Sequence, residues 1–220
     1  MATKSQATAT PDRLWDRIGR GDCPPTYSQF SGPCLVMGTG RSLWDDLGII
    51  NHDWIGGRMA VNEAIEHYPH PVDHAVSLHP EYLGHWMHFR QRAWQGSRPI
   101  TMHSNKDHDL IAASLLYAPH DDVRRLQVWD VRGVGAYTSG LFAVLVALML
   151  GYDRIVLAGM PVDGSGHYYD APDAPDIEDY GSDHHEQVWI EARDQVFEGR
   201  VTSLSGRTCD WLGSPMEASG

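Results

Sequence analysis

Two short turns rich in glycine and hydroxyl side chains are the best candidates for a ligand site in this sequence. Thr138, Ser139 and Gly140 form one of them, at the start of a helix that is apolar nearly all round. Free N–H groups at the start of a helix attract anions. The next predicted strand leads into a polar loop with Asp163, at the edge where ligands bind in open α/β sheets. Together these segments predict two walls of a phosphate site.

The other turn comes first in the chain and comprises Gly38, Thr39 and Gly40, followed by Ser42. It lies between a short apolar strand and a short helix, which is the outline of the first unit of a nucleotide-binding fold. The pattern departs from G-x-G-x-x-G because Leu43 stands at the place of the third glycine. It is also no Walker loop, since no Lys-Ser or Lys-Thr pair follows. Similar turns also pack a helix against a sheet without binding any ligand.

Two adjacent histidines, His184 and His185, are the candidates for a general base. They precede the last long predicted helix, with Asp183 as its cap. An imidazole is neutral near pH 7, because its ordinary pKa is about 6.5, and can therefore accept a proton. The alternative is two solvated residues at a helix start. Of the two, we favour His185 as the base.

Three further polar residues follow predicted strands. Asn62 ends the second strand, where its amide can bond a ligand or satisfy its own turn. Tyr168 and Tyr169 lie in the polar loop, where they either donate a hydroxyl to a ligand or pack on the surface. The acidic stretch from His167 to Glu186 lacks the tight spacing of a metal site. We therefore expect a solvated acidic loop and no metal or other cofactor.

Short apolar strands alternate with helices along the chain. Strands are predicted over 34–38, 57–61, 73–78, 98–102, 125–130, 153–158 and 199–204, and helices over 41–48, 80–95, 106–116, 139–150 and 184–197. This alternation predicts an α/β fold, Rossmann-like, with a mostly parallel central sheet and helices on both faces. We expect a single catalytic domain over 31–208. Flexible segments are predicted over 1–30 and 209–220.

Composition restricts the partners. The chain has 220 residues and a net charge of −12, which argues against binding along a nucleic-acid backbone. The odd set of three cysteines has no metal-like spacing and indicates reduced thiols in a cytoplasmic protein. The apolar run near 141–150 is too short to span a bilayer, and the N-terminus lacks the apolar core of a signal peptide. We also expect self-association into a homo-oligomer.

Five blocks of sequence resemble, in the same order, those of bacterial sialyltransferases that use a CMP-activated sugar. The blocks are GTGRSL at 38–43, MAVNEAI at 59–65, DHAVSLHPEYLGHW at 73–86, the stretch 137–170 and the stretch 181–205. The match is collinear over about residues 34 to 206, and the first and fourth blocks are the most specific. The same blocks resemble flagellin-modifying glycosyltransferases and an archaeal pterin diphosphokinase, which are related Rossmann-like families.

The resemblance implies a glycosyltransferase that moves a sugar from a CMP-sugar-like donor to an acceptor hydroxyl by inverting displacement. It implies that His185 or His184 takes the acceptor proton, and that Tyr168 or Tyr169 donates to the leaving phosphate. The donor-binding residues that it implies are Gly38, Thr39, Gly40, Ser42, Asn62, Thr138, Ser139, Gly140 and Asp163.

Two other functions remain open at this point. One is a diphosphokinase-like phosphotransferase on a pterin or nucleoside, which would need Mg²⁺ held by carboxylates such as Asp163 and Asp170. The other is a non-catalytic module that binds a nucleotide. Ala136 motivates this second alternative, because the resembling family has an arginine at its place.

Overall fold

Seven parallel strands form one sheet in the computed structural model, which describes residues 30–93, 100–105, 126–129, 138–174 and 183–215. For 126–128, 183 and 184 it describes the backbone alone. The strands are β1 Pro33–Met37, β2 Gly57–Val61, β3 His74–Ser77, β4 Thr101–Ser104, β5 Leu126–Val128, β6 Arg154–Ala158 and β7 Val201–Ser203. All seven were predicted, and their parallel pairing confirms the Rossmann-like α/β class.

Six α-helices lie in the described part of the chain. They are α1 Leu43–Ile49, α2 Ala64–His67, α3 Pro80–Ala93, α4 Ser139–Leu150, α5 Asp183–Ala192 and α6 Gly206–Leu212. A 3₁₀ turn spans His52–Trp54, and a π-helical turn over Arg193–Phe197 continues α5. The helix predicted over 106–116 lies outside the described residues. In that same part of the chain, no helix is long and apolar enough to cross a membrane.

Helices α2 and α6 were not predicted. The four-residue helix α2 is too short to show a helical period. Its C-terminal end is stabilised by a residue far along the sequence, because the buried Arg90 guanidinium donates to the carbonyls of Ile65 and Tyr68. Helix α6 continues beyond residue 208, where we place the start of the C-terminal tail. Thr208 within it is buried and donates to the carbonyl of Met160 at 2.7 Å. The carbonyl of Gly213 accepts from the N–H of Ser203 at 3.0 Å, so tertiary contacts extend the folded part past the predicted boundary.

Each strand separates two apolar layers, because successive side chains point to opposite faces of a sheet. On β1, Cys34 and Val36 pack in the layer that contains α4, whereas Leu35 and Met37 pack in the layer with α1, α2 and α3. Helix α4 has nearly all of its side chains buried. It begins at Thr138, whose hydroxyl caps it, and it ends at a left-handed glycine.

The order of the strands in the sheet is β5-β4-β3-β2-β1-β6-β7. The chain therefore moves outward from β1 to β5 and then returns to place β6 on the other side of β1. The carboxyl ends of β1 and β6 lie side by side, with Met37 paired to Ala158. The direction of winding reverses between these two strands, and such a switch point leaves a crevice in which ligands bind.

Candidate functional site

A cavity of about 410 Å³ opens at the carboxyl ends of β1, β2, β3 and β6. Sites for small molecules usually measure roughly 300–1,000 Å³, so this one has room for a ligand. Most of the predicted ligand residues line it, although they come from distant parts of the chain. These are Gly38, Thr39, Gly40, Asn62, Thr138, Ser139, Gly140, Asp163 and His185.

The glycines of the first turn allow the ends of β1 and β6 to approach closely. The N–H of Gly38 donates to the carbonyl of Ala158 at 2.8 Å, and that of Gly40 donates to the carbonyl of Gly159 at 2.7 Å. A Cβ atom on Gly38 would lie 2.5 Å from the same Gly159 oxygen. Both N–H groups are thus used within the protein. Within the described residues, the N–H of Thr39 between them donates to no protein group.

The second turn presents the start of α4 to the cavity. The hydroxyl of Thr138 accepts a hydrogen bond from the N–H of Leu141 at 3.1 Å and so caps the helix. The first N–H groups of a helix, here those of Ser139 and Gly140, have no acceptor within the helix. The hydroxyl of Ser139 accepts from the N–H of Leu78 at 3.1 Å, which ties α4 to the end of β3. The turn therefore combines a rigid position with backbone donors at the cavity wall.

Asn62 has its amide group oriented by a chain of hydrogen bonds. The N–H of His79 donates to the Ser77 hydroxyl at 2.9 Å, so that hydroxyl donates its own proton to Asn62 Oδ1 at 2.7 Å. With the oxygen engaged, the Nδ2 group is left to donate elsewhere. Asn62 also has a left-handed φ of 53°, which asparagine tolerates better than most residues. The end of β2 thus places an oriented amide donor, that of Asn62, at the lining of the cavity.

Ser42 does not line the cavity, contrary to the predicted contact with a ligand. It belongs to a network around the buried carboxylate of Asp46, whose Oδ2 accepts from Gly159 N–H at 2.7 Å, Ser205 Oγ at 2.8 Å and Ser42 Oγ at 3.1 Å. A buried carboxylate needs such donors to offset the loss of hydration. Ser42 therefore helps to hold the first turn against β6 and the start of α6.

The two predicted tyrosines also lie off the cavity wall. The Tyr168 hydroxyl is 2.7 Å from His67 Nδ1, and its ring packs against the layer that contains α1 and α2. Burial raises the pKa of that hydroxyl, so it is a neutral phenol. Tyr169 is exposed and stacks on the ring of His167. This placement gives no support to a tyrosine at the leaving phosphate, and that role stays a prediction.

Three histidines contribute to the cavity lining. His185 lies at the start of α5, one turn before the buried Trp189, which also lines the cavity. The side chain of His184 lies outside the described atoms, so the choice between the two stays a prediction. His79 and His167 were not among the predicted site residues. His79 directly follows the strand predicted over 73–78, and that position is the signal that could have identified it, whereas His167 lies within the polar loop after β6.

His167 is positioned by Asp170, which is not itself a lining residue. The Asp170 carboxylate accepts from the backbone N–H of His167 at 2.6 Å and lies 3.3 Å from its Nδ1. The backbone hydrogen bond is the main reason why the pKa of Asp170 lies below its usual range. Asp163 does line the cavity, and its Oδ1 accepts from the N–H of Ser165. No group of three metal-ligating side chains occurs among the described residues.

The cavity is lined by the Asp163 carboxylate, by three histidines and by the positive end of the α4 dipole. Of the residues that the structure describes, no lysine or arginine lines it. The nearby Arg41 instead donates to the carbonyls of Ala171 and Pro172, both at 3.3 Å. An anion in this cavity would therefore depend on the start of α4, where the helix dipole is equivalent to roughly half a positive charge.

The fold is that of a doubly wound α/β protein, with a cavity of small-molecule size at its switch point. No family model matches the chain, and no curated protein matches it. A solved structure described as a mammalian sialyltransferase is similar with a TM-score of 0.46 and 14% identity, over 92% of this chain and 82% of that chain. A likeness this distant does not indicate the activity of this chain.

Proposed function

We propose that this protein is a glycosyltransferase that moves a sugar from a nucleotide-activated donor to an acceptor hydroxyl. One observation carries the proposal. Two turns that are about 100 residues apart in the sequence line the same cavity, and one of them is the start of α4. Asn62 and His185 line it as well. The combination of anion-binding donors and a proton acceptor in one cavity suits the departure of a phosphate-bearing group.

In this proposal the donor phosphate binds at the start of α4. The N–H groups of Ser139 and Gly140, with that of Thr39 opposite, would donate to its oxygens. Asn62 Nδ2 would add a side-chain donor from the end of β2. Because these groups are held by the folded backbone, they need little rearrangement as negative charge grows on the leaving phosphate.

The proposed reaction is a single displacement with inversion. The acceptor oxygen attacks the anomeric carbon of the donor sugar while the bond from that carbon to the phosphate oxygen breaks. The bonding electron pair stays on the leaving nucleotide, and the acceptor proton passes to His185. The products are the glycoside, the free nucleotide and a protonated imidazole. A well-placed base contributes roughly 10²- to 10⁴-fold to such a rate, so the backbone donors must supply the rest.

Calorimetric titration with CMP, CDP, UDP, GDP, ADP and ATP, with and without Mg²⁺, tests the site. We expect at least one nucleotide to bind without the metal, and Asn62→Asp to weaken that binding at least tenfold, because a carboxylate would replace the oriented donor. Asn51→Asp is the matched control, since Asn51 is exposed and lies between α1 and β2, at the opposite edge of the sheet.

A second measurement follows the reaction itself. The nucleotide sugar that corresponds to the tightest nucleotide is incubated with the protein, and release of the free nucleotide is measured by chromatography. Binding without any sugar release or transfer would favour the non-catalytic nucleotide-binding module. Binding of ATP that requires Mg²⁺ would favour the phosphotransferase, with Asp163 as a metal ligand. A folded protein that binds none of these nucleotides would refute the proposed site.

A further inference from the structure

Four aromatic side chains form a continuous row from the cavity to the surface. This aromatic row consists of Trp44, Tyr168, Tyr169 and His167. Trp44 and Tyr168 have ring centroids 5.4 Å apart, Tyr168 and Tyr169 are 5.1 Å apart, and Tyr169 stacks on His167 at 4.9 Å. His167 lines the cavity. The row therefore begins at the candidate site and leads away from it.

The row is exposed where a ligand could reach it. Trp44 has 42% of its surface exposed and Tyr169 has 48%. The backbone that carries His167 and Tyr168 is also well fixed. Gly40 and His167 form an antiparallel bridge, and the N–H of Tyr168 donates to the carbonyl of Thr39. Exposed aromatic side chains that adjoin a cavity are typical of binding surfaces. This one is joined directly to the first glycine turn.

The charges around the row disfavour an anionic ligand. The negative charges of Glu63 and Glu66 lie near enough to the Tyr168 hydroxyl to disfavour its ionised form electrostatically. Asp170 lies beside His167 at the inner end of the row. The guanidinium of Arg41, the cation near this loop, donates to backbone carbonyls. A nucleotide phosphate is better placed at the start of α4, and an uncharged ligand suits the row.

We propose that the aromatic row is the acceptor subsite and that it binds a neutral carbohydrate. The C–H face of a sugar ring is apolar and can stack on Trp44 and Tyr169, while its hydroxyl groups remain free for hydrogen bonds. A sugar bound there would extend toward His167 and place a hydroxyl at the cavity. This inference rests on the proposed transferase function, because it names the class of acceptor for that reaction.

Saturation-transfer NMR with lactose, cellobiose and maltose tests the subsite on the full chain. We expect at least one disaccharide to bind, and Trp44→Ala and Tyr169→Ser each to weaken it at least fivefold. Trp44→Phe should keep most of the binding because a ring remains. Trp54→Ala is the control, since Trp54 is a partly exposed tryptophan of the 3₁₀ turn before β2, away from the row. Circular dichroism checks that each variant is folded.

The nucleotide titration is repeated on the same variants, so that the two proposals can fail separately. Disaccharide binding that depends on Trp44 supports the subsite even if no nucleotide binds. The subsite is overturned if no disaccharide binds the folded protein, or if Trp44→Ala and Trp54→Ala have equal effects. It is also overturned if Trp44→Ala abolishes nucleotide binding and leaves disaccharide binding intact, because the row would then hold a base.

Discussion

We expect the free energy of unfolding to fall between pH 7.5 and pH 5.5, before carboxylates titrate. The reason is a pair of buried histidines with a defined hydrogen-bond direction. Trp129 Nε1–H donates to His103 Nδ1 at 3.0 Å, so His103 Nε2 carries the proton and donates it to His74 Nδ1, with 3.1 Å between the two nitrogens. His74 Nε2 then donates to the Tyr152 hydroxyl at 3.1 Å. Both rings are neutral in this arrangement, and an added proton would break it.

Burial is the main cause of the low pKa of both rings. It lowers the pKa of His74 from 6.5 to about 4, with Asp73 partly offsetting the effect, and lowers that of His103 well below the usual range. The unfolded chain binds protons at these rings below about pH 6.5, and the folded chain does not until the pH is much lower. Stability is therefore complete above pH 6.5 and is lost as the pH falls toward 4.

The magnitude follows from the shift. One pKa unit corresponds to about 1.4 kcal/mol, so His74 alone accounts for about 3 kcal/mol when its shift is fully expressed. Between pH 7.5 and 5.5 His74 contributes about 1 kcal/mol of this loss, and His103 adds to it in the same direction. A loss of this size is a large part of the roughly 5–15 kcal/mol of stability typical of a folded domain.

Urea denaturation at several pH values between 7.5 and 5.5 measures this loss. The double variant His74→Gln, His103→Gln should lose less stability than the wild type over the same interval, even if it is less stable at every pH. His85→Gln, which changes an exposed histidine on α3, should keep the wild-type dependence. A wild-type loss below about 1 kcal/mol, or an unchanged slope in the double variant, would show that the pair is not buried as described.

Three further predictions concern the candidate site. His185→Gln should lower transfer roughly 10²- to 10⁴-fold in a turnover assay and leave nucleotide affinity unchanged, and an equal loss of affinity would contradict a base role. In thermal melts, Gly38→Ala should destabilise the protein by about 2 kcal/mol or more, because its Cβ would meet the Gly159 carbonyl. The same change at Gly48, in a helix with open space around it, should stabilise by about 0.5–1 kcal/mol. Asp46→Ala should cost at least about 2 kcal/mol in urea denaturation, and a smaller loss would mean that its three donors are satisfied by water.

Local sequence was sufficient to predict the sheet and its main helices. Strands such as β1 are short, continuous apolar runs, as expected of strands covered on both faces, and the long apolar stretch of α4 lies between a hydroxyl cap and a glycine. Gly38 and Asn62 follow predicted strands, and their proximity follows from the predicted parallel sheet because the carboxyl ends of parallel strands share one edge. The strand and helix patterns themselves depend on neighbours within a few residues, and therefore the sequence alone determines them.

Only the tertiary structure decided which side chains face the cavity. The Ser42 hydroxyl donates to Asp46 instead of lining the cavity, and the same carboxylate accepts from Ser205 at a sequence separation of 159 residues. The Tyr168 hydroxyl forms a hydrogen bond with His67, 101 residues away in the sequence, whereas its neighbour His167 lines the cavity. A turn motif specifies the path of the backbone, but the direction of a polar side chain depends on the partner that best replaces its lost water, and that partner is brought near only when the whole chain has folded.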